Sequence, residues 1–135
     1  MISMIYLNHG GDNMKNAFED FDCGELLLPD KTIKFRDIPW SKHPSFEGVE
    51  IKCLMTFSGN SYNLVRIAPN MKIGEHIHAN QVETHEVISG SGICINNGQE
   101  LAYNCGVISV MEKGIPHEVT AGKDGLYMLA KFITV

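Results

Sequence analysis

Residues 76–90 read HIHANQVETHEVISG, and this stretch decides how the whole chain is interpreted. His76 and His78 are separated by one residue, a spacing that aims both imidazoles at the same side of an extended strand. Glu83 follows five residues after His78, which leaves room for a turn that brings its carboxylate back alongside them. Imidazole and carboxylate together suit Fe(II), Mn(II), Ni(II), Co(II) or Zn(II), whereas Ca(II) and Mg(II) prefer oxygen ligands. The stretch therefore predicts a site for one divalent transition metal ion per chain.

The clustering of these side chains carries the prediction, because each of them alone has an ordinary explanation. A single histidine on a strand is more often a surface residue or a hydrogen-bonded core residue than a ligand. Here three of the six histidines, His76, His78 and His85, lie within ten positions beside Glu83. Burying such groups without partners would cost several kcal/mol each. A shared metal ion is the simplest way to satisfy them.

The rest of the chain reads as many short strands, which is typical of a sandwich or barrel. Short apolar segments, bounded by Gly, Pro or Asn, predict strands at 32–36, 49–57, 61–68, 82–89, 92–96, 99–103, 107–111, 117–121 and 126–134. Asn97-Gly98 is a signal for a tight hairpin turn, since both central positions of that turn need positive φ. The turn pairs Cys94 with Leu101. The sequence thus predicts an all-β fold.

The stretch 76–90 closely resembles the first motif of the cupin family, which is His-x-His, four residues, Glu, six residues, Gly. The family motif opens with a Gly six residues before the first His, and Asn70 stands at that place. Asn tolerates the left-handed backbone conformation better than most residues do. Residues 106–121 resemble the second motif, with Glu112 and Ala121 in place of the family's Pro and Asn. The matching positions are Gly106, Gly114 and His117.

The resemblance covers residues 61–135 and implies a double-stranded β-helix, the jelly-roll barrel of the cupins. It also implies that His117 is the fourth metal ligand, beside His76, His78 and Glu83. Cupins use such a centre for dioxygenation, decarboxylation, isomerisation or ligand binding, so the fold does not settle the reaction. We expect a metal-dependent dioxygenase or isomerase/epimerase acting on a small polar metabolite. The alternatives are a non-catalytic protein that binds a small molecule with the help of the metal, and a vestigial site.

Four further residues are candidates for a cavity near the metal. His85 lies two residues after Glu83 in the same predicted strand, so it should face the barrel interior. It is a candidate catalytic proton shuttle, or an interior histidine that only orients Glu83. The others are candidate substrate contacts, since a cation would suit an anionic substrate; they are Tyr62, Arg66 and Lys131.

Residues 1–45 lack the dense strand pattern of residues 46–135, and we expect them to form a lead-in that packs on the barrel or on a partner subunit. Asp12 or Asn13 could cap a short helix over 14–20. Further along, Pro39, Trp40 and His43 could close the mouth of a cavity, or Trp40 could serve as a hydrophobic plug. An exposed sheet edge extended by the lead-in favours a homodimer.

Composition limits the partners of the chain. A formal charge of −5 and a pI near 5.6 disfavour nucleic acid. The N-terminal residues lack the apolar run of an export signal or membrane anchor, so we expect a cytoplasmic protein. The four cysteines are irregularly spaced, and in that compartment we expect them to be free thiols, with at least Cys23 and Cys53 buried.

Overall fold

The structure is a computed structural model in which residues 23–135 are described. The helix expected over 14–20 lies outside these residues. The described part contains one 3₁₀ turn, Phe35–Asp37, and ten strands. The strands are β1 (Glu25–Leu28), β2 (Lys31–Lys34), β3 (Ser41–Lys42), β4 (Val49–Phe57), β5 (Asn60–Ile67), β6 (Lys72–His76), β7 (Gln81–Asn96), β8 (Gln99–Asn104), β9 (Ile108–Met111) and β10 (His117–Thr134).

All the strand pairs are antiparallel, and they confirm the all-β jelly-roll barrel. β1 and β2 form a hairpin of their own. The main sheet has the order β3-β4-β5-β10-β7-β8, with β6 paired to β10 and β9 paired to β7. The expected hairpin is confirmed in its register, since Cys94 is opposite Leu101. Asn97 and Gly98 have φ of 52° and 79°, as the tight turn requires.

Two long strands replace four shorter predicted ones. The segments expected at 82–89 and 92–96 are joined in β7, and those at 117–121 and 126–134 are joined in β10. Both strands bend where Gly90 and Gly125 meet, each with positive φ, and the pairing register shifts next to this point. A Cβ added to Gly90 would collide with the carbonyl oxygen of Gly125. Glycine therefore lets the strands bend around the barrel without ending.

The barrel interior holds the larger apolar core. Alternate residues of β5 and β10 point inward, among them Val65, Ile67 and Met128, and they pack with Val119 and Tyr103 from other strands. These residues are all less than 6% exposed, and burying an aliphatic side chain of this size stabilises the fold by roughly 1.5–3 kcal/mol. The apolar core therefore holds the strands of the barrel together.

A second apolar cluster lies on the outer face of the same sheet. Phe35 packs there with Leu54, Leu64 and Tyr127, and Leu26 and Ile38 contact the same cluster. Trp40 meets Tyr127 edge-on, with ring centroids 5.6 Å apart. The segment after residue 24 thus covers the outer face of the sheet.

Several local expectations need correction. Cys23 and Cys53 are exposed, so their expected burial is wrong, although all four cysteines are free. Strands β1, β3 and β6 were not among the predicted segments. No helix in the described part of the chain has the length and apolar content needed to span a bilayer.

Candidate metal centre

Three parts of the barrel bring the four expected ligands together. His76 is the last residue of β6, Glu83 lies in β7 and His117 is the first residue of β10. His76 and His117 are opposite each other in the β6–β10 ladder. The sequence argument placed His76 and His78 in one strand, but β6 ends at His76 and His78 lies in the following loop. That loop is fixed by a hydrogen bond from the backbone N–H of Gly114 to the carbonyl oxygen of His78, 2.8 Å long.

One carboxylate oxygen stands at the centre of the cluster. Oε1 of Glu83 lies 3.0 Å from Nε2 of His117 and 3.1 Å from Nε2 of His78. One ligand atom from each of His76, His78, Glu83 and His117 can be chosen so that all four lie within 4.8 Å of one another. The four side chains therefore converge on a single point.

Backbone carbonyl groups fix the orientation of two imidazole rings. Nδ1 of His76 donates a hydrogen bond to the carbonyl oxygen of Gly74, 2.8 Å away. Nδ1 of His117 donates in the same way to Ile115, over 3.0 Å. A carbonyl oxygen only accepts, so Nδ1 carries the hydrogen and Nε2 faces the cluster. This is the arrangement in which metal-binding histidines are commonly held.

The fit of these residues to a metal ion is supported by an unsatisfied atom. Nε2 of His78 is buried and has no regular hydrogen bond with residues 23–135; its near neighbour is Oε1 of Glu83, 3.1 Å away. An unpaired buried nitrogen is costly, and a metal ion would satisfy it. Three imidazoles and one carboxylate form a donor set that suits a divalent transition metal. The cluster could therefore hold such an ion.

The protonation of the cluster follows from its burial and its contacts. Burial alone would raise the pKa of Glu83, but the interactions with His117, His78 and His85 outweigh it and hold that pKa well below its ordinary value. Burial lowers the pKa of His76 and outweighs its hydrogen bond to Gly74. Burial also lowers the pKa of His117, yet the hydrogen bonds to Glu83 and Ile115 prevail and raise it. Glu83 is thus an anion, as a ligand must be.

His85 lies beside the cluster with both ring nitrogens occupied. Its Nε2 is 2.8 Å from Oε2 of Glu83, and its Nδ1 is 2.8 Å from the hydroxyl oxygen of Tyr103. The side chain is only 1% exposed. His85 therefore touches the oxygen of Glu83 that faces away from His78 and His117. Tyr103, which was not among the predicted site residues, completes this chain of contacts.

A pocket of about 360 Å³ opens onto the cluster. His76, His78 and Glu83 line it, and so do His43 and Ser45. Most of the remaining wall is apolar; it is formed by Phe46, Ile51, Val65, Ile73, Met128 and Phe132. Asn63 is the other polar residue of the wall. Its position in β5, two residues before the inward-facing Val65, was the only signal in the sequence for it.

The three expected substrate contacts are not brought to this pocket. Tyr62 and Arg66 are on the opposite face of β5 from Asn63 and Val65, and Lys131 is on the opposite face of β10 from Phe132. Arg66 pairs with Glu50 at 2.7 Å and lies over the Trp40 ring, 4.2 Å from its centroid. Lys131 pairs with Glu86 at 2.7 Å and lies over the Tyr62 ring.

Of the residues expected at a cavity mouth, only His43 is found there. Its Nδ1 accepts a hydrogen bond from the backbone N–H of Ser45, and its ring packs on Phe46 with centroids 4.8 Å apart. Phe46 in turn approaches His76. Trp40 lies instead on the outer face of the sheet, within the second apolar cluster.

An antiparallel barrel that brings three histidines and one carboxylate together beside a pocket defines a class of β-barrels with a candidate metal site. A family model described as the cupin domain matches residues 63–130, half of the chain. The chain belongs to the cupin family. No curated protein matches the sequence significantly.

Solved structures give the same fold at low sequence identity. A protein from Thermotoga maritima described as a predicted oxalate decarboxylase is 20% identical, with a TM-score of 0.66 over 74% of this chain and 96% of that chain. KdgF from a Halomonas species is 14% identical, with a TM-score of 0.68 over 74% of this chain and 91% of that chain. An RmlC-like cupin from Shewanella frigidimarina is 14% identical, with a TM-score of 0.61 over 71% of this chain and 94% of that chain. At these identities the likeness shows the fold alone.

Proposed function

We propose that this protein is a metal-dependent enzyme of the oxygenase or isomerase type that acts on a small metabolite. Its centre is one divalent transition metal ion, Fe, Mn, Ni, Co or Zn, held by His76, His78, Glu83 and His117. The observation that carries the proposal is the convergence of these four side chains, three of which, His76, His78 and Glu83, line the pocket. A site built only for stability would not need access from a pocket of this size.

The donor set leaves room for a ligand. Three imidazoles and one carboxylate oxygen would give a bound ion four donors, and an ion that takes six would keep two positions for water, dioxygen or the oxygens of a chelating metabolite. When bound, the ion would supply Lewis-acid or redox chemistry to that ligand. The protein's own contribution is to orient the donors and to surround the ligand with a largely apolar wall that excludes water.

We assign to His85 the orientation of Glu83 rather than a direct part in the reaction. Both of its ring nitrogens have partners, and the side chain does not line the pocket. By contacting Oε2, His85 leaves Oε1 directed at His78 and His117. A carboxylate fixed in this way would bind a metal through one oxygen and would leave the remaining positions of the ion to other ligands.

The second candidate function is a non-catalytic binding protein that captures a small molecule with the help of the metal. One observation favours it: apart from the ligand residues, the polar side chains lining the pocket within residues 23–135 are His43, Ser45 and Asn63. Few of the side chains that line the pocket could therefore act as a general acid or base. The likeness to a predicted oxalate decarboxylase favours the enzyme, although it rests on the fold.

The two functions differ in what happens to a bound molecule. Protein loaded with Fe(II) under anaerobic conditions should, when mixed with air and candidate chelating metabolites, consume oxygen or convert the metabolite. His117→Ala, prepared in the same way, is the matched control and should do neither. Thermal stabilisation by a metabolite without oxygen uptake or product would favour the binding protein.

We further propose that two copies associate in a cytoplasmic homodimer. Strand β9 pairs only with β7 in the described sheet, and its Ile108 and Val110 are 68% and 51% exposed. An apolar edge strand of this kind is usually covered. Sedimentation equilibrium should give twice the chain mass of 15.0 kDa, and a monomer at micromolar concentration would contradict the association.

A further inference from the structure

We infer that the pocket selects molecules with a single anionic chelating end and an apolar body, and rejects molecules with a second anionic group. This inference rests on the proposed function, because the chelating end needs the metal. It also replaces the polar metabolite expected from the sequence. The reasons lie in the pocket wall beyond the ligand residues.

The described part of the wall contains no Lys or Arg side chain that could pair with a second anionic group. Among the described residues that line the pocket, none is Lys or Arg. Three cations of the strands β4, β5 and β10 lie on the other face of the sheet, and each of the three has a partner there. Lys52 donates to the carbonyl oxygen of Phe35 over 2.8 Å, and Arg66 and Lys131 pair with Glu50 and Glu86. A carboxylate pressed against this wall would lose its hydration without gaining a counter-ion.

Asn63 adds to the discrimination against molecules with a second anionic group. Its amide Nδ2 donates to Oγ of Ser61 over 3.0 Å and to the carbonyl oxygen of Ala130 over 3.5 Å. The amide nitrogen is therefore already engaged by two acceptors, whereas Oδ1 makes no hydrogen bond with residues 23–135. What Asn63 offers to the pocket is an acceptor, which repels a carboxylate and suits a hydroxyl or N–H group. Asn63 is thus a specificity-determining residue of the wall.

The remaining wall fits an apolar body. Ile51, Val65 and Met128 come from three neighbouring strands, β4, β5 and β10, and form a continuous surface with Phe132. The volume of about 360 Å³ lies at the lower end of the range for small-molecule sites. It suits a compact branched or ring-bearing molecule.

Two 2-oxo acids test the inference, because they carry the same chelating end on different bodies. Protein loaded with Ni(II) is titrated by calorimetry, without oxygen, with 2-oxo-4-methylpentanoate and with 2-oxoglutarate. We expect the first, whose body is a branched hydrocarbon, to bind at least about tenfold more tightly. Equal affinities, or tighter binding of 2-oxoglutarate, would overturn the inference. So would a Ni(II)-loaded protein that binds neither acid.

Two variants show whether the pocket wall is the cause of the preference between the two acids. Ile51→Lys places a cation in the pocket and should reduce the preference at least about tenfold, in favour of 2-oxoglutarate. Lys131→Met is the matched control, since it removes a cation from the opposite face and should leave the ratio of affinities unchanged. A ratio that responds to Lys131→Met and not to Ile51→Lys would overturn the inference. Failure to take up Ni(II) at all would instead overturn the proposed function.

Discussion

His85 and Glu83 are joined by a contact of 2.8 Å between Nε2 and Oε2, on the side of the carboxylate that faces away from the other imidazoles. Tyr103 holds the opposite nitrogen of the same ring. The pair therefore decides which oxygen of Glu83 enters the candidate metal centre. A buried partner of this kind affects how strongly a ligand binds its metal more than it affects the chemistry of the bound molecule.

Removing His85 should weaken the metal centre. We expect His85→Ala to lower metal affinity by about 10- to 100-fold, with activity or ligand binding restored by excess metal. Tyr103→Phe, which keeps the ring and removes the hydroxyl, should act in the same direction with a smaller effect. Competition against a chelating dye measures both affinities. Full metal occupancy together with turnover reduced by about 100-fold would instead make His85 a general acid or base.

Metal binding should depend on pH through the histidines. An imidazole binds metal only when neutral, and the hydrogen bonds to Glu83 and Ile115 outweigh burial and raise the pKa of His117 in the metal-free protein. Below that raised pKa, the incoming ion must displace a proton. We therefore expect affinity to begin to fall at a pH above 6.5, the ordinary pKa of histidine, with release of about one proton per ion.

Calorimetry in two buffers of different ionisation enthalpy measures the released proton directly. His43→Ala is a suitable control, since His43 lines the pocket but lies outside the cluster. Its pH profile should match that of the unmodified protein. An affinity that stays flat between about pH 8 and pH 5 would argue against histidine ligands.

The outer apolar cluster should contribute strongly to stability. Phe35 is 8% exposed and packs on Leu54, Leu64 and Tyr127, so Phe35→Ala should lower the free energy of unfolding by about 3–5 kcal/mol. Phe57→Ala, at a residue that is 41% exposed, should cost less than half as much. Urea unfolding followed by fluorescence compares the two. Equal losses of unfolding free energy in the two variants would mean that residues 25–42 add little to the stability of the barrel.

The cysteines should divide into two groups by reactivity. Cys23, Cys53 and Cys105 are exposed, whereas Cys94 is buried in the core, where burial raises the pKa of its thiol. A thiol reagent should therefore modify three groups in the folded protein and the fourth only after unfolding. Mass spectrometry of the modified chain identifies them. Rapid labelling of Cys94 in the folded state would contradict its burial.

The candidate ligands were predictable because their geometry is largely local. His76, His78 and Glu83 lie within eight positions of one another, and the hairpin register follows from the two-residue turn at Asn97-Gly98. The continuity of β7 and β10 was not predictable, since Gly90 reads as a strand end in the sequence. Only the close approach of Gly125 explains why the strand bends there and continues.

The faces that Tyr62, Arg66 and Lys131 occupy could not be predicted, because the hydrophobic pattern of their strands is ambiguous. β5 has Leu64 buried on its outer face and Val65 buried on its inner face, since the segment after residue 24 covers the outside. A strand buried on both sides loses the alternation that reveals its faces. The orientation of such strands depends on pairing with distant residues, which a single sequence does not display.

The central claim is that His76, His78, Glu83 and His117 hold one transition metal ion, and metal content tests it most directly. Elemental analysis of the purified protein, dialysed after loading with Fe(II), Ni(II) or Zn(II), should give about one ion per chain. His76→Ala and His117→Ala should each lose most of it, while His43→Ala should keep it. Full occupancy in either ligand variant, or no metal retained by the unmodified protein, would contradict the account.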